Sequence, residues 1–172
     1  LLPQALLLSG KWTERPEVFD IGLTSLRWLI SIQTAEGDYF RPIGSNGFFR
    51  RAEQNAVSDQ QPVEANATIS ACLEAYLATS DITWWHHAHM AFDWFLGRND
   101  LGVQVYDVTS GGCRDGLHVD RVNENQGAEA TLAYLLSLAE MKLVHNIATA
   151  FSKPIALSNK LKTEVLYETI NG

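Results

Sequence analysis

Two stretches of this chain gather the residue types that move protons and hold hydroxyl groups. The first closes on Asp59-Gln60-Gln61-Pro62-Val63-Glu64. The second runs through Arg114-Asp115-Gly116-Leu117-His118 to Asn123-Glu124-Asn125-Gln126, with Glu129 shortly after. Carboxylates accept hydrogen bonds and side-chain amides both donate and accept, so together they suit a ligand rich in hydroxyls. Opposed carboxyl groups are also what cleavage of a glycosidic bond requires, at roughly 5–5.5 Å for retention of configuration or 6.5–9.5 Å for inversion. The sequence supplies carboxyls without distances, so retention and inversion both stay open. Glu124, at a predicted helix entrance, is the leading candidate for a general acid or base. Asp115 is the alternative proton donor, and Asp59 or Glu64 the opposed group that activates water. Gln60, Arg114, His118, Asn123, Gln126 and Glu129 are candidate ligand-positioning side chains. A tight turn at Ser45-Asn46-Gly47 would present Phe48 as a stacking surface. The competing expectation is structural: helix capping by Asp59 and Glu64, and a salt-bridge network in which Arg98, Arg114 and Arg121 hold the neighbouring carboxylates.

Other chemistries find less support. His86 and His89 are the only histidine pair at helical spacing and lack a third ligand, so His86, His87 and His89 read as surface or packing residues and no metal is expected. Gly111-Gly112 follows no predicted strand and lacks the phosphate-loop pattern, and no G-x-S-x-G nucleophile turn occurs. Cys113, in a glycine-rich loop, is a poor nucleophile. No cofactor is called for.

Helices must hold these stretches in place. Apolar residues at Val18, Ile21, Trp28, Leu29 and Ile32 predict a helix over 17–33, entered at Pro16. Ile69, Cys72, Leu73, Tyr76 and Leu77 predict another over 62–79. A third is capped by Asp81, closed by Gly97, and expected to bury Trp85, Ala88, Phe92, Phe95 and Leu96. A fourth spans 126–145, with Leu132, Leu135, Leu136, Ala139 and Leu143 facing inward and Asn123 and Gln126 forming a capping box. A further helix carrying Leu157, Leu161, Val165 and Leu166 is expected in the tail. The connections 37–61 and 98–122 are each 25 residues long, while the second and third helices are joined near Ser80 by a residue or two. Loops beyond about 15 residues are uncommon in compact domains unless they work. In an antiparallel array, alternate long connections emerge at one end, which is therefore the elaborated one. The chain also repeats itself. Gln61-x-x-Glu64-Ala65 recurs as Gln126-x-x-Glu129-Ala130, an offset of 65, and Trp28 and Trp94 lie 66 apart. Repeats of this size suggest a ring or solenoid of helical hairpins.

Composition sets outer bounds. The 172 residues fit one domain or a piece of a larger protein. With 46% hydrophobic and 19% charged residues the chain is too apolar for disorder. No apolar run reaches the roughly 18 residues of a membrane span. A net charge of −7, without a basic run, argues against nucleic acid or an anionic membrane as the main partner. Cys72 and Cys113 are too few for a disulfide framework and are read as reduced thiols of a cytoplasmic protein. Residues 1–8 have no basic region and no initiator methionine, and read as a chain entered partway through rather than a signal peptide.

Several longer motifs then converge. Gly44-Ser45-Asn46-Gly47-Phe48-Phe49-Arg50, Asp59-Gln60-Gln61-Pro62-Val63-Glu64-Ala65, and the run from Phe92-Asp93-Trp94-Phe95-Leu96-Gly97-Arg98-Asn99-Asp100 through Gly111-Gly112-Cys113-Arg114-Asp115-Gly116-Leu117 to Asn123-Glu124-Asn125-Gln126-Gly127-Ala128-Glu129 resemble the helical C-terminal region of bacterial group 1 glycosyltransferase-like proteins. That region in turn resembles the six-hairpin glycosidase superfamily, the (α/α) toroid. The resemblance covers about residues 36–141, and residues 152–172 have no counterpart in it. It implies a carbohydrate or nucleotide-sugar ligand and a transferase domain N-terminal to this region. It also implies catalytic carboxylates on the long-loop face, which by position favours Asp59, Glu64, Asp115, Glu124 and Glu129, although none matches a catalytic motif. The expected architecture is all-α: antiparallel helical hairpins over 1–172 forming a partial (α/α) toroid, with homodimerisation as one way to cover an apolar edge. The expected function is carbohydrate-active, by glycosidase-like acid–base chemistry or, alternatively, by non-catalytic sugar binding or scaffolding. Fold analogy does not choose between them.

Overall fold

A computed structural model describes residues 1–47, 49 and 56–152, with side chains to 150. Phe48 and the helix expected in the tail lie outside the described residues. The chain is predominantly helical and divides into two compact units, Leu1–Met141 and Lys142–Gly172. The helices are α1 (Leu2–Trp12), α2 (Pro16–Ile32), α3 (Pro62–Thr79), α4 (Ile82–Asp93) and α5 (Ala128–Ser152). A two-stranded antiparallel hairpin, β1 (Gly116–Leu117) and β2 (Val122–Asn123), lies in the last long connection.

Local chemistry explains most boundaries. Proline opens the first turns of α1, α2 and α3, where its missing N–H leaves no helical bond unmade. Ser80 adopts a left-handed conformation (φ 58°) that stops α3, and the Asp81 side chain accepts from the Thr83 N–H at 3.0 Å to start α4. α1, unexpected from the sequence, packs closely on α2 through glycines. A side chain at Gly10 would overlap the Phe19 backbone, and Gly22 backs directly onto Leu7. The pairs α1–α2 and α3–α4 pack most extensively, each across a short connection. The sequence repeat had paired helices across the long connections; antiparallel neighbours instead need only a tight turn. α1 also meets α3. α3 meets α5 through Asn66 to Ser137 (3.1 Å) and Ser70 to Glu140 (2.6 Å), and Phe92 and Phe95 of the α4 end meet Tyr134 of α5. Arg27 of α2 lies over the Trp84 ring of α4.

The core is built from Leu7, Leu26, Phe40, Ile69, Cys72, Trp94 and Phe95, all fully enclosed. Several faces differ from expectation. α5 turns Ala130, Ala133, Tyr134, Ser137 and Met141 inward, while Leu132, Leu135, Leu136 and Leu143 are 45–60% exposed. That inward face carries Ser137, bonded to Asn66 of α3, and Tyr134, packed on Phe92 and Phe95. α2 likewise buries Gly22, Leu23, Leu26 and Ile30 and leaves Ile21 and Trp28 half-exposed, with Phe49 edge-on to Trp28 at 5.5 Å. In α4 it is Trp84 that is buried with Ala88 and Ala91, Trp85 is only partly so, and Leu96 stands 44% exposed. Trp28 and Trp94 therefore occupy unlike environments despite their spacing. Both cysteines are free and buried.

Candidate functional site

A carboxylate, Asp100, helps tie the two long connections together. Asp100 accepts from the Tyr39 hydroxyl (2.5 Å), the Arg41 guanidinium (2.7 and 2.8 Å) and the Gln60 amide (2.6 Å). Burial works against its charge, but these donors outweigh it and hold the carboxyl below its ordinary value. Gln60 is fully buried; its amide oxygen accepts from Trp94 Nε1 at 3.0 Å and its amide nitrogen also reaches the Val57 carbonyl. Its backbone exchanges two hydrogen bonds with Leu117, both 2.9 Å, so the end of the first connection pairs with β1. Gly116 makes this pairing possible, because a Cβ there would overlap the Gln60 carbonyl oxygen.

That pairing draws Asp59 and Asp115 to one place. Beside them a polar pocket of about 370 Å³ opens between the N-termini of α3 and α5, lined by Asp59, Gln61, Asp115, Asn123, Gly127 and Glu129 among others. Helix N-termini present unpaired N–H groups and the positive end of the helix dipole, which favours carboxylates there. Asp59 takes a left-handed backbone conformation (φ 63°), and its carboxylate accepts from the Ser45 hydroxyl and from Gln61 Nε2. Asp115 has both oxygens engaged, one by the Gly127 N–H (2.6 Å) and one by the Asn125 amide. Glu64, in the first turn of α3, accepts from the Gln61 N–H, half of a capping box. Its Oε2 is buried with no hydrogen-bond partner. Burial, with a smaller contribution from the Asp59 charge, pushes the Glu64 carboxyl up to about 7.

The pocket therefore unites Asp59, Asp115, Asn123 and Glu129 from the sequence expectations, with Glu64 close enough to feel Asp59. Others lie apart from its lining. Glu124 has a 75% exposed side chain and is bound to Arg114 at 2.7 Å, as the salt-bridge expectation had it. Arg114 also donates to the Gln104 carbonyl. Gln126 makes no capping box. It bonds Asp107 (3.0 Å) and Ser110 (2.7 Å), and the Asn123 carboxamide accepts from the Asn125 N–H, because Asp115 already holds the start of α5 at Gly127. Gln60 has its amide enclosed in the core rather than offered to a ligand. His118 lies on the β-hairpin turn, where its N–H donates to the Arg121 carbonyl. Gln61, at the cap of α3 between Asp59 and Glu64, joins the lining although it was not among the expected site residues. The Ser45–Gly47 turn forms as expected, closed by the Gly47 N–H on the Ser45 carbonyl. His86 and His89 are exposed, and among the described residues no group of three acidic, histidine or cysteine side chains is arranged for a metal. No helix among the described residues is long and apolar enough to cross a membrane.

Comparison with protein-family profiles finds none that matches the chain, and comparison with curated proteins finds none that matches it either.

Proposed function

We propose that the pocket between α3 and α5 binds a carbohydrate and that the chain is the carbohydrate-active helical part of a glycosyltransferase-like protein. The observation that carries this reading is the convergence of Asp59, Gln61, Asn123 and Glu129 on one open, polar pocket. Carboxylate acceptors alternating with amide groups match the vicinal hydroxyls of a sugar ring. Acid–base cleavage needs a carboxyl that keeps its proton near neutral pH and a second that accepts one. Asp59 lines the pocket and is the carboxyl placed to reach a glycosidic oxygen, while Glu64, raised to about 7, lies behind the lining and holds a proton next to it. On the facing wall, Glu129 is the carboxylate to activate water. This reverses the roles expected from sequence, where Glu124 or Asp115 supplied the proton. The exposed Glu124–Arg114 pair and the doubly bonded Asp115 argue for the reversal.

The helix rows α1–α3–α5 and α2–α4 support reading the array as a partial (α/α) toroid. The exposed stripes on α2 and α5 are then the faces where further hairpins, or a second copy, would pack. Light scattering that shows a monomer at high concentration would count against the second copy.

One specific observation favours a non-catalytic binder: Asp115, a pocket carboxylate, is fully engaged in holding α5 and the hairpin. Thermal shift of the chain against oligosaccharides and nucleotide sugars tests both readings. A ligand at 100 times its dissociation constant raises stability by about 2.7 kcal/mol, and Asp59→Asn should abolish that shift. Turnover lost in Glu64→Gln with binding retained supports the enzyme. Equal binding with no turnover in either form supports the binder. A folded chain that responds to no glycan overturns both.

A further inference from the structure

We propose that Asn46 is a site of spontaneous covalent modification, where deamidation to aspartate and isoaspartate releases the tie that holds Asp59. Asn46 and Gly47 are both exposed, at the tip of a turn whose base is held fast. The Gly44 N–H donates to the Ala56 carbonyl (2.8 Å). Ser45 donates twice to Asp59, from its N–H to the carbonyl (3.1 Å) and from its hydroxyl to the carboxylate.

The chemistry needs a backbone nitrogen that can reach the preceding carboxamide, with no side chain to screen it. Attack on Cγ of an asparagine closes a five-membered ring, and a following glycine, having no Cβ, leaves its nitrogen open. The Gly47 nitrogen gives its proton to solvent base and bonds to Asn46 Cγ. The Cγ–Nδ2 bond breaks and ammonia leaves. Water then opens the cyclic imide at either carbonyl, giving aspartate or, where the main chain now runs through Cβ, isoaspartate. The Gly47 N–H must first leave the Ser45 carbonyl (3.1 Å), and loss of that one exposed bond slows the reaction by about tenfold at most. Among the described residues Asn46 is the one asparagine followed by glycine. Elsewhere the carboxamide is already engaged, as at Asn66 with Ser137, Asn99 with the Trp94 carbonyl and Asn125 with Asp115. Either product puts a new negative charge next to Ser45, the residue that donates to the Asp59 carboxylate. Isoaspartate also adds one carbon to the backbone directly after Ser45, so both bonds to Asp59 lose their register. Because Asp59 lines the acidic pocket, a change at the turn reaches the pocket wall.

The full chain is incubated in mildly alkaline buffer, beside a free peptide covering residues 43–49 that gives the unrestrained rate. Peptide mapping by mass spectrometry follows the exchange of NH₂ for OH, and methyl transfer by an isoaspartyl methyltransferase marks the isoaspartate. Asn46 should convert within about tenfold of the rate in the peptide, and Asn46→Gln should remove the isoaspartate label from this turn. In the converted chain the Ser45 amide should exchange with solvent at least about tenfold faster than before incubation. Conversion more than about tenfold slower than in the peptide overturns the site. Conversion that leaves the Ser45 amide exchanging at its original rate overturns the link to Asp59.

Discussion

Asp100 lies in the connection after α4 and Glu64 in the first turn of α3, yet one is surrounded by donors and the other has an oxygen with none. Three side chains converge on Asp100 and keep it charged, and through it Tyr39, Arg41 and Gln60 are locked to the second connection. Glu64 gains a single backbone N–H and loses water, so its charge is disfavoured and its proton is held up to about pH 7. Several charged or polar donors hold a carboxylate ionised; desolvation with only one donor favours its protonated form. The two groups thus differ in which protonation state their surroundings favour: Asp100 is held charged, Glu64 is held neutral.

The largest effect is expected where the frame around both groups is built. Gly116→Ala should cost about 3–4 kcal/mol in chemical denaturation, because the new methyl group collides with the Gln60 carbonyl and breaks the Gln60–Leu117 pairing next to Asp59. A loss under about 1 kcal/mol would mean that the pairing yields easily. Asp100→Ala should cost about 2–3 kcal/mol by leaving the Arg41 guanidinium and the Gln60 amide short of an acceptor. Glu64→Gln should have the opposite sign. The folded-state pKa of Glu64 lies above its unfolded value near 4.5, so the folded chain binds the proton more tightly. Its stabilising contribution is complete below pH 4.5 and lost as pH rises through about 7. At pH 8 the Gln variant should be more stable than the parent by about 1–2 kcal/mol, the full linkage value being reduced by partial solvation. At pH 4 that advantage should vanish, and thermal melts across this range read it directly. The smallest effects belong to surface groups: Glu124→Gln and Leu136→Ser should each change stability by no more than about 0.5 kcal/mol. A larger effect of Glu124→Gln on glycan binding would return that residue to the site.

The sequence announced helices wherever termination chemistry was explicit. Pro16, Pro62 and Asp81 marked starts that the structure places at the same residues or one away, and Thr79 ended its helix as expected. α1 went unread because its cap, Leu1, has no side-chain signal. The inward faces of α2 and α5 were misread for a shared reason. Each helix is apolar on two sides, so periodicity alone does not say which of the two stripes faces its neighbours. In the site, Asp59 and Glu129 were legible from their positions just outside or inside helix entrances, and Asp115 from its place beside Gly116 in the glycine-rich connection. The enclosure of Gln60 was not, because a glutamine between polar neighbours gives no hint that a tryptophan N–H and an aspartate will claim both ends of its amide.

The short Ser80-Asp81 turn between α3 and α4 has a consequence for the order in which the molecule assembles. Partners on those two helices are near in sequence, so their encounter closes a small loop. Tyr39 and Asp100 must meet across 61 residues, and Arg41 and Asp100 across 59. Contacts of high sequence separation form late and tend to open first. Native-state hydrogen exchange should accordingly show the amides of α3 and α4 as the slowest, and those of Gln60 and Leu117 released earlier. The pocket would then be the last part of the chain to form and the first to come apart.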